Sequence, residues 1–300
     1  MRKGIDRRDF LKLAGMGTVV FVSGFNTWGR TAVAGKNDFF FVQMSDTHWG
    51  FANTKLNGDP TGTLKKAIAG VNSLRHQPDF VVFTGDITHN ADDDAERRRR
   101  MTEVRGIMGE LKVKDLKFVP GENDASLDEG KAFQEIFGKT YYSFDHKGVR
   151  FLVLDNVSNP RSILGDTQLE WLAAELKKLD KTAPIIVFTH RPLFDLYPGW
   201  DWLTRDGGKA IDLLMPYRNV TVFYGHIHQE HHHKTGHIAH HAAKGLMWVW
   251  PAPGSVPEQV AVPWAPDHPY KGLGFRSAKT RGKGAQYQIS EYSVEGEVVK

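Results

Sequence analysis

Short apolar runs of strand length alternate with helical patterns through most of this chain, and this alternation restricts its fold more than any other feature. The runs that predict strands lie at residues 39–43, 80–84, 117–119, 149–154, 185–189 and 220–224. The patterns that predict helices lie at residues 63–75, 92–111, 128–137 and 167–179. Most of the strand runs are continuously apolar, as expected of strands that are covered on both faces. The sequence therefore predicts a layered α/β domain.

The rest of the chain gives no sign of a second domain. After Tyr224 the pattern turns to short strands, and residues 251–269, which hold six prolines, are predicted to form a loop. The sequence shows no internal repeat and no shift in composition. We therefore expect a single domain over residues 35–300.

The N-terminus has the three parts of an export signal. A basic segment that contains Arg7 and Arg8 precedes a short apolar stretch, and residues 32–34 (Ala-Val-Ala) offer a small-residue cleavage site. The run Arg-Arg-Asp-Phe-Leu-Lys resembles a twin-arginine (Tat) signal. We expect a signal peptide over residues 1–34, cleaved after Ala34, with the twin-arginine export machinery as a partner. The mature protein is then periplasmic or extracellular, without a stable membrane span.

Composition restricts both the partners and the metal ligands. The chain has 39 Lys and Arg and 35 Asp and Glu; residues 1–34 hold six of the former and two of the latter, which leaves 33 of each. The mature protein is therefore expected to be neutral overall, and its net charge indicates no nucleic-acid binding. Cysteine is absent from all 300 residues, so any metal must be bound by oxygen and imidazole.

Metal-ligating residue types directly follow five of the six predicted strands. They are Asp46 and His48, Asp86, the run Glu122-Asn123-Asp124, His190, and His226 with His228. Sheet proteins assemble their sites at the carboxyl ends of strands, so these side chains are expected to meet. Carboxylate, amide and neutral imidazole bind divalent ions such as Zn, Mn, Fe or Co.

The spacing of the ligands favours two ions. Asp46 and His48 are two residues apart, as are His226 and His228, so on extended backbone each pair projects to one side. Together with one bridging carboxylate and two single ligands, these pairs provide enough donors for two ions. Two ions about 3.5 to 4 Å apart activate water and stabilise in-line attack at phosphorus.

In this order, the motifs resemble the signature of the calcineurin-like metallophosphoesterases. They are Asp46-x-His48, Gly85-Asp86, Gly121-Glu122-Asn123-Asp124, His190 and Gly225-His226-x-His228. The resemblance extends over about residues 40–250. It implies a four-layer α/β/β/α sandwich, in which two mixed sheets lie face to face with helices outside. It also implies hydrolysis of a phosphomonoester or phosphodiester substrate by a hydroxide that bridges two divalent metal ions.

The resemblance implies a role for each ligand. Asp46, His48 and His228 hold one ion, and Glu122, His190 and His226 hold the other, with Asp86 bridging both. The third motif departs from the family, which usually has Asn and His where this chain has Glu122 and Asn123. Glu122 can still bind a metal. Asn123 cannot transfer a proton, although it can donate a hydrogen bond to a phosphoryl oxygen.

Several roles remain open at this point. The candidate catalytic residues are Asn123, Asp124 and Arg191. The Arg191 guanidinium matches phosphate geometry, with a surface salt bridge as the equal alternative. Because Asn123 replaces the usual histidine, the alternative function is a metal-loaded binding protein or a weakly active pseudoenzyme.

Three further segments need interpretation. Aromatic residues at 194–202 form a pocket wall or pack onto their own domain. The histidines within residues 231–241 are accessory metal ligands or alternate along an exposed hairpin. The charged run at residues 92–100 is interpreted as a solvated helix with ion pairs four residues apart, because four consecutive arginines spread around a helix and cannot form one basic binding face.

Overall fold

All six predicted apolar runs form strands, and these strands belong to two sheets. The structure is a computed structural model, in which residues 38–280 and 287–299 are described. The first sheet consists of β1 (Phe40–Met44), β2 (Phe80–Thr84), β3 (Leu116–Val119), β10 (Gly274–Thr280) and β11 (Tyr287–Ser293), in the order β11-β10-β1-β2-β3. The second consists of β4 (Tyr142–His146), β5 (Val149–Val153), β6 (Pro184–Phe188), β7 (Asn219–Tyr224), β8 (His231–Thr235) and β9 (Ile238–Ala242), in the order β4-β5-β6-β7-β9-β8.

Both sheets are mixed. In the first, β1, β2 and β3 are parallel, with Val42 opposite Val81, and β10 and β11 are antiparallel additions. In the second, β5, β6, β7 and β9 are parallel, while β4 and β8 are antiparallel edge strands. The parallel strands therefore bring their carboxyl ends to the same edge in each sheet.

Helices cover the outer face of each sheet. They are α1 (Gly62–Ser73), α2 (Asp94–Met108), α3 (Glu122–Ala125), α4 (Lys131–Phe137), α5 (Asp166–Lys177) and α6 (Gly207–Leu214). Side chains of α1, α2 and α4 share an apolar cluster with the first sheet, and those of α5 and α6 share one with the second sheet. These clusters form because each helix buries its apolar face against the nearest sheet.

Alternation along the strands separates the two faces of each sheet. Val42 and Met44 of β1 face the helices, whereas Phe41 belongs to a third cluster that lies between the sheets. Phe41 stacks on Phe80 at 5.2 Å and meets Phe188 of the opposite sheet edge-on at 5.4 Å. The helices, the two sheets and this aromatic layer confirm the four-layer α/β/β/α sandwich that the resemblance implied.

The differences from the sequence prediction concern local contacts and short elements. In α2 the pairs Asp94–Arg98 and Glu96–Arg100 form as predicted. Asp93, whose spacing predicted a pair with Arg97, caps the helix by accepting a hydrogen bond from the Glu96 amide. β4, α3 and α6 were not predicted, and β8 to β11 were predicted only as unspecified short strands. Residues 251–269 form a loop, as their prolines indicated.

A membrane-spanning helix is not found among the described residues. Over residues 38–280 and 287–299, no helix combines the length and apolar character needed to cross a membrane. The predicted signal peptide falls on residues 1–34, which lie outside the described part of the chain. Its cleavage after Ala34 stays a prediction.

Candidate metal centre

The seven predicted metal ligands lie together where the strands of both sheets end. They follow β1 (Asp46, His48), β2 (Asp86), β3 (Glu122), β6 (His190) and β7 (His226, His228). The loops that carry them approach one another closely. A Cβ atom on Gly121 would lie 1.9 Å from the Asp86 amide nitrogen, and one on Gly225 would lie 2.0 Å from Ser45 Oγ. Only glycine allows this packing of loop against loop.

One cluster of donors consists of Asp46, His48 and His228. His228 Nε2 lies 3.2 Å from Asp46 Oδ1 and 3.3 Å from His48 Nε2. All three side chains are almost completely buried. Three donor atoms that converge at this distance have the arrangement expected around a single metal ion.

A second cluster consists of Glu122, His190 and His226. Glu122 Oε2 lies 2.9 Å from His190 Nε2, and Glu122 Oε1 lies 2.7 Å from His226 Nδ1. The remaining ligand, Asp86, lies between the two clusters. Its Oδ2 atom is 3.5 Å from His48 Nε2 and 3.6 Å from His190 Nε2. The geometry thus groups the seven side chains as two sets of three with a carboxylate between them.

The backbone at the ligands differs from the extended conformation that the spacing suggested. Asp46 has φ 56°, His48 has φ 41° and Asp86 has φ 48°. His226 and His228 are also left-handed, with φ 67° and 49°. Non-glycine residues in this region are strained by about 1 to 3 kcal/mol each. The paired ligands therefore converge through strained turns, and the reason given from the sequence, alternation along a strand, is wrong.

Hydrogen bonds to main-chain carbonyls fix the orientation of two ligand histidines. His190 Nδ1 lies 2.7 Å from the Thr84 carbonyl oxygen, and His228 Nδ1 lies 2.9 Å from that of Trp248. A carbonyl oxygen can only accept, so each Nδ1 carries the hydrogen. When the ring is neutral, its Nε2 atom directs a lone pair into its cluster, which is the tautomer that a metal requires.

The buried atoms of this site fit bound cations. His48 Nδ1 and His226 Nε2 are buried and have no hydrogen-bond partner. Buried polar atoms without partners are rare, because each loses its interaction with water. Three carboxylates and four imidazoles from one compact region, with lone pairs that face each other, form a donor set suited to divalent ions.

The pKa shifts of the residues in these clusters also indicate that the site favours bound positive charge. Burial would raise the pKa of Asp46, but the neighbouring His228 lowers it to about 2. Burial and the charge of Glu122 raise the pKa of Asp86 to about 7. Burial lowers the pKa of His190, yet Glu122 and Asp86 outweigh it and raise that pKa well above the usual range. Without metal, protons therefore occupy this site at neutral pH, and metal binding must displace them.

Asn123 contacts a ligand instead of pointing into open space. Its backbone amide donates to Asp86 Oδ1 at 2.8 Å, and its side-chain Nδ2 donates to Asp86 Oδ2 at 2.6 Å. Both bonds hold the carboxylate that lies between the two clusters. The second Nδ2 hydrogen remains for another acceptor, because an amide nitrogen has two.

Asp124 fixes the loop that follows β2. It is buried, and its carboxylate accepts hydrogen bonds from the amides of Ile87, Thr88 and Gly121 and from the Thr88 hydroxyl. These contacts give Asp124 a positioning role, and the catalytic role expected from the sequence stays a prediction. The sequence offered no way to distinguish the two roles, since both place an acid after a glycine turn.

Arg191 forms a salt bridge, but its side chain is buried and does not lie on the surface; its phosphate-binding role stays a prediction. Its Nη2 lies 2.7 Å from Asp201 Oδ2, and its Nε donates to the Leu203 carbonyl oxygen at 3.0 Å. Its Nη1 faces Glu122 Oε1 at 3.7 Å. The guanidinium thus ties the loop at residues 192–204 to the metal centre, and its fork is already engaged.

The aromatic and histidine-rich segments also have defined positions. Trp200 and Trp202 pack with Tyr224 and Ile227, so the aromatic loop packs onto its own domain. The histidines within residues 231–241 lie on the β8–β9 hairpin. Over the described part of the chain, none of them belongs to a group of three potential metal ligands.

Sequence reasoning missed an aromatic wall beside the first cluster. The Trp248 ring lies 4.1 Å from the His48 ring and 4.7 Å from the His228 ring. Phe51 packs against Trp248 at 4.7 Å. In the sequence, the two tryptophans within residues 248–250, next to a proline-rich loop, could have indicated this wall.

This fold and this site together define a metal-dependent hydrolase of the α/β/β/α class. Residues 41–230 match the family model of the calcineurin-like phosphoesterases. The chain belongs to that family, and it is a hydrolase that acts on phosphoric ester bonds.

Relatives and solved structures agree with this assignment. The mouse serine/threonine-protein phosphatase CPPED1 is 27% identical over 223 residues, which cover 65% of this chain and 70% of the relative. A probable glycerophosphodiester phosphodiesterase GpdQ from Arcobacter nitrofigilis is 27% identical over 209 residues, or 63% and 71% of the two chains. A dimetal phosphatase from Danio rerio has a similar fold, with a TM-score of 0.58, 16% identity and coverage of 87% and 98%. The purple acid phosphatase of yellow lupin gives a TM-score of 0.63 at 16% identity, with 87% of this chain and 52% of that structure covered.

Proposed function

We propose that this protein hydrolyses phosphomonoesters or phosphodiesters with two divalent metal ions. The observation that carries the proposal is the position of Asp86 Oδ2, which lies 3.5 Å from His48 Nε2 and 3.6 Å from His190 Nε2. A carboxylate between two three-residue clusters is suited to touch both ions. The first ion would be held by Asp46, His48 and His228, and the second by Glu122, His190 and His226.

Two such ions supply a water nucleophile of lowered pKa and neutralise charge on the phosphoryl group. The chain contributes three carboxylates to the site, so with two divalent ions the ligand sphere has a net charge of +1. An anionic phosphoester is therefore attracted to it. Asn123 and the two carbonyl-bound histidines hold the ligands in orientation, which reduces reorganisation during the reaction.

The proposal predicts metal content and turnover together. After reconstitution with Zn²⁺, Mn²⁺, Fe²⁺ or Co²⁺, elemental analysis should find close to two ions per chain. The loaded protein should hydrolyse nitrophenyl phosphate or bis(nitrophenyl) phosphate, and chelation should abolish both metal and turnover. A protein that binds no metal under any of these conditions would contradict the proposal. A screen of monoesters, diesters, nucleotides and phospholipid head groups would then identify the substrate.

The second candidate function is a metal-loaded binding protein or weakly active pseudoenzyme. Asn123 favours this candidate, because it stands where the family usually has a histidine and its side chain donates a hydrogen bond to Asp86. Two bound ions without turnover of either nitrophenyl ester would select this candidate.

We further propose that the protein is exported by the twin-arginine machinery to the periplasm or cell exterior. The support is the sequence of residues 1–34, with its paired arginines, short apolar stretch and Ala-Val-Ala site.

A further inference from the structure

A loop with almost no charge lies beside the metal centre. Over residues 245–266, Glu258 is the single charged side chain, and five prolines restrict the backbone. We refer to residues 248–263 as the apolar loop. Each proline fixes its own φ angle, so the backbone of the loop has fewer accessible conformations.

The apolar loop begins at the metal ligands. Trp248 contacts the rings of His48 and His228, and the Trp250 ring lies 5.9 Å from that of His228. Gln229, the residue after His228, donates through Nε2 to the carbonyl oxygens of Trp250 and Pro251 at 3.1 and 2.7 Å. The start of the loop is thus fixed to the strand end that carries two ligands.

The other end of the apolar loop is also fixed. The Val262 amide donates to the Val249 carbonyl oxygen at 2.9 Å, and the Trp264 amide donates to that of Lys55 at 2.9 Å. Ala261 packs with Trp248 in one buried cluster. Both ends are anchored, while the segment between them is directed outward.

Three valines on this loop are exposed. Val256 is 38%, Val260 62% and Val262 43% exposed, and they represent half of the six large apolar side chains exposed in the described residues. With Pro251 and Pro257 they line an open groove of about 510 Å³. Exposed apolar side chains clustered on a rigid loop, beside a catalytic centre, indicate a ligand surface.

We propose that the apolar loop binds a hydrocarbon chain of the substrate, so that this protein acts on phosphate esters that carry an alkyl or acyl chain. This inference rests on the proposed function, because the phosphate group must lie at the metal centre. Pro251 lines the groove and directly follows Trp250, whose ring lies 5.9 Å from that of His228, so a chain bound in the groove starts near the metal centre. Seven of its eight lining residues are uncharged, with Glu258 as the exception, and this lining suits a hydrocarbon chain better than a nucleotide or a sugar phosphate.

Binding of monoalkyl phosphates to the metal-loaded protein tests the inference without requiring turnover. Full burial of one methylene group raises affinity about fourfold, so partial burial in an open groove should raise it about twofold. Titration calorimetry with methyl, butyl and octyl phosphate should show affinity rising about twofold per methylene. In a Val256→Asp/Val260→Asp variant this dependence should disappear, while methyl phosphate binds as in the parent.

Val298→Asp is the matched control, since Val298 is 66% exposed but lies at the C-terminal end, paired with Tyr292. It should keep the dependence on chain length. Equal affinity for all three phosphates in the parent, or an unchanged dependence in the double variant, would overturn the inference. It would also be overturned if the double variant lost only binding to phosphatidylcholine vesicles, because the loop would then contact a membrane surface. Hydrolysis of nitrophenyl esters is measured separately, and its absence would contradict the proposed function whatever the binding results are.

Discussion

At the scale of single residues, Asp86 is the ligand that lies close to both clusters. Its Oδ2 atom lies 3.5 and 3.6 Å from one histidine of each cluster, and both of its oxygens accept a bond from Asn123. Removing a residue that merely supports a metal ligand typically reduces metal affinity or activity about 10- to 100-fold. Loss of a carboxylate shared between two ions should have a larger effect.

We therefore expect Asp86→Ala to reduce turnover by more than about 100-fold and to leave fewer than two ions per chain. His226→Ala, which removes a ligand of one cluster only, is the matched variant and should lose less activity. Metal analysis and steady-state kinetics on both proteins measure this. Retention of two ions and near-parental turnover by Asp86→Ala would show that Asp86 does not bridge.

We expect Asn123 to determine how the reaction depends on the leaving group. An amide cannot donate a proton fully, so an alkoxide must leave with most of its charge, whereas nitrophenolate needs little assistance. General acid catalysis contributes about 10² to 10⁴ in rate. Asn123→His should therefore accelerate alkyl esters far more than nitrophenyl esters.

The measurement compares turnover of both ester types in parent and variant across pH, with metal content checked in each. Metal content matters because the variant also changes the 2.6 Å hydrogen bond from Asn123 Nδ2 to Asp86 Oδ2. If both ester types change by the same factor, or neither gains, another group supplies the proton or residue 123 does not reach the leaving group.

The positions of the ligands could be predicted from sequence more readily than their contacts. Asp86 and His190 directly follow apolar runs, and parallel strands necessarily bring such residues to one edge. The contacts of Arg191 could not be predicted, because its partner Asp201 lies on a loop with no periodic pattern. The orientation of Asn123 depends on the four-residue helix α3, which is too short to leave a periodicity.

At the scale of elements, β10 and β11 contain a buried ion pair that the apolar pattern did not reveal. Arg276 and Glu291 face each other across these strands, with Nη2 and Oε1 2.7 Å apart, and both side chains are almost completely buried. Removing one partner of a buried pair typically destabilises a protein by about 3 to 5 kcal/mol, whereas replacing both with apolar residues is often nearly neutral.

Arg276→Met should thus lower the free energy of unfolding by about 3 to 5 kcal/mol. The double variant Arg276→Met/Glu291→Leu should recover more than half of that loss. Urea denaturation of the metal-free proteins measures both values without a contribution from bound metal. A single variant that unfolds with almost the parental free energy would mean that the pair is hydrated and does not determine the stability of these strands.

The elements that were not predicted, or were predicted without bounds, share a physical cause. β10 reads Gly-Phe-Arg-Ser-Ala-Lys-Thr, whose polar residues conceal that five of its seven positions are buried. α6 begins with two glycines, which disfavour a helix, and packing of Ala210, Ile211 and Leu214 stabilises it. Tertiary contacts overrode local preference in both cases.

At the scale of the whole molecule, the sandwich depends on contacts between distant segments. β10 pairs with β1, so that Gln43 lies opposite Arg276. Local periodicity contains no information on such a pairing, and the layer order followed from the family resemblance alone. The aromatic layer between the sheets, which includes Phe41, Phe80 and Phe188, was not predicted either.

Export is also a property of the whole molecule. If the paired arginines select the twin-arginine machinery, then changing Arg7 and Arg8 to Lys should leave precursor inside the cell, although the basic charge is preserved. Cell fractionation and the size of the accumulated chain measure this. Lys3→Arg, which alters a leader residue outside the pair, is the control. Normal export of the double lysine variant would indicate an ordinary secretion signal.

The left-handed turns at five metal ligands affect when the metal can be chosen. These turns are strained, so they form only after the strands on either side have paired, and residues 46–228 must already be in place. In the unfolded chain the donors are far apart, so the chain binds any ion weakly. We therefore expect both clusters to bind metal only once the fold has formed, so that the bound ion is one available in the compartment where the chain folds.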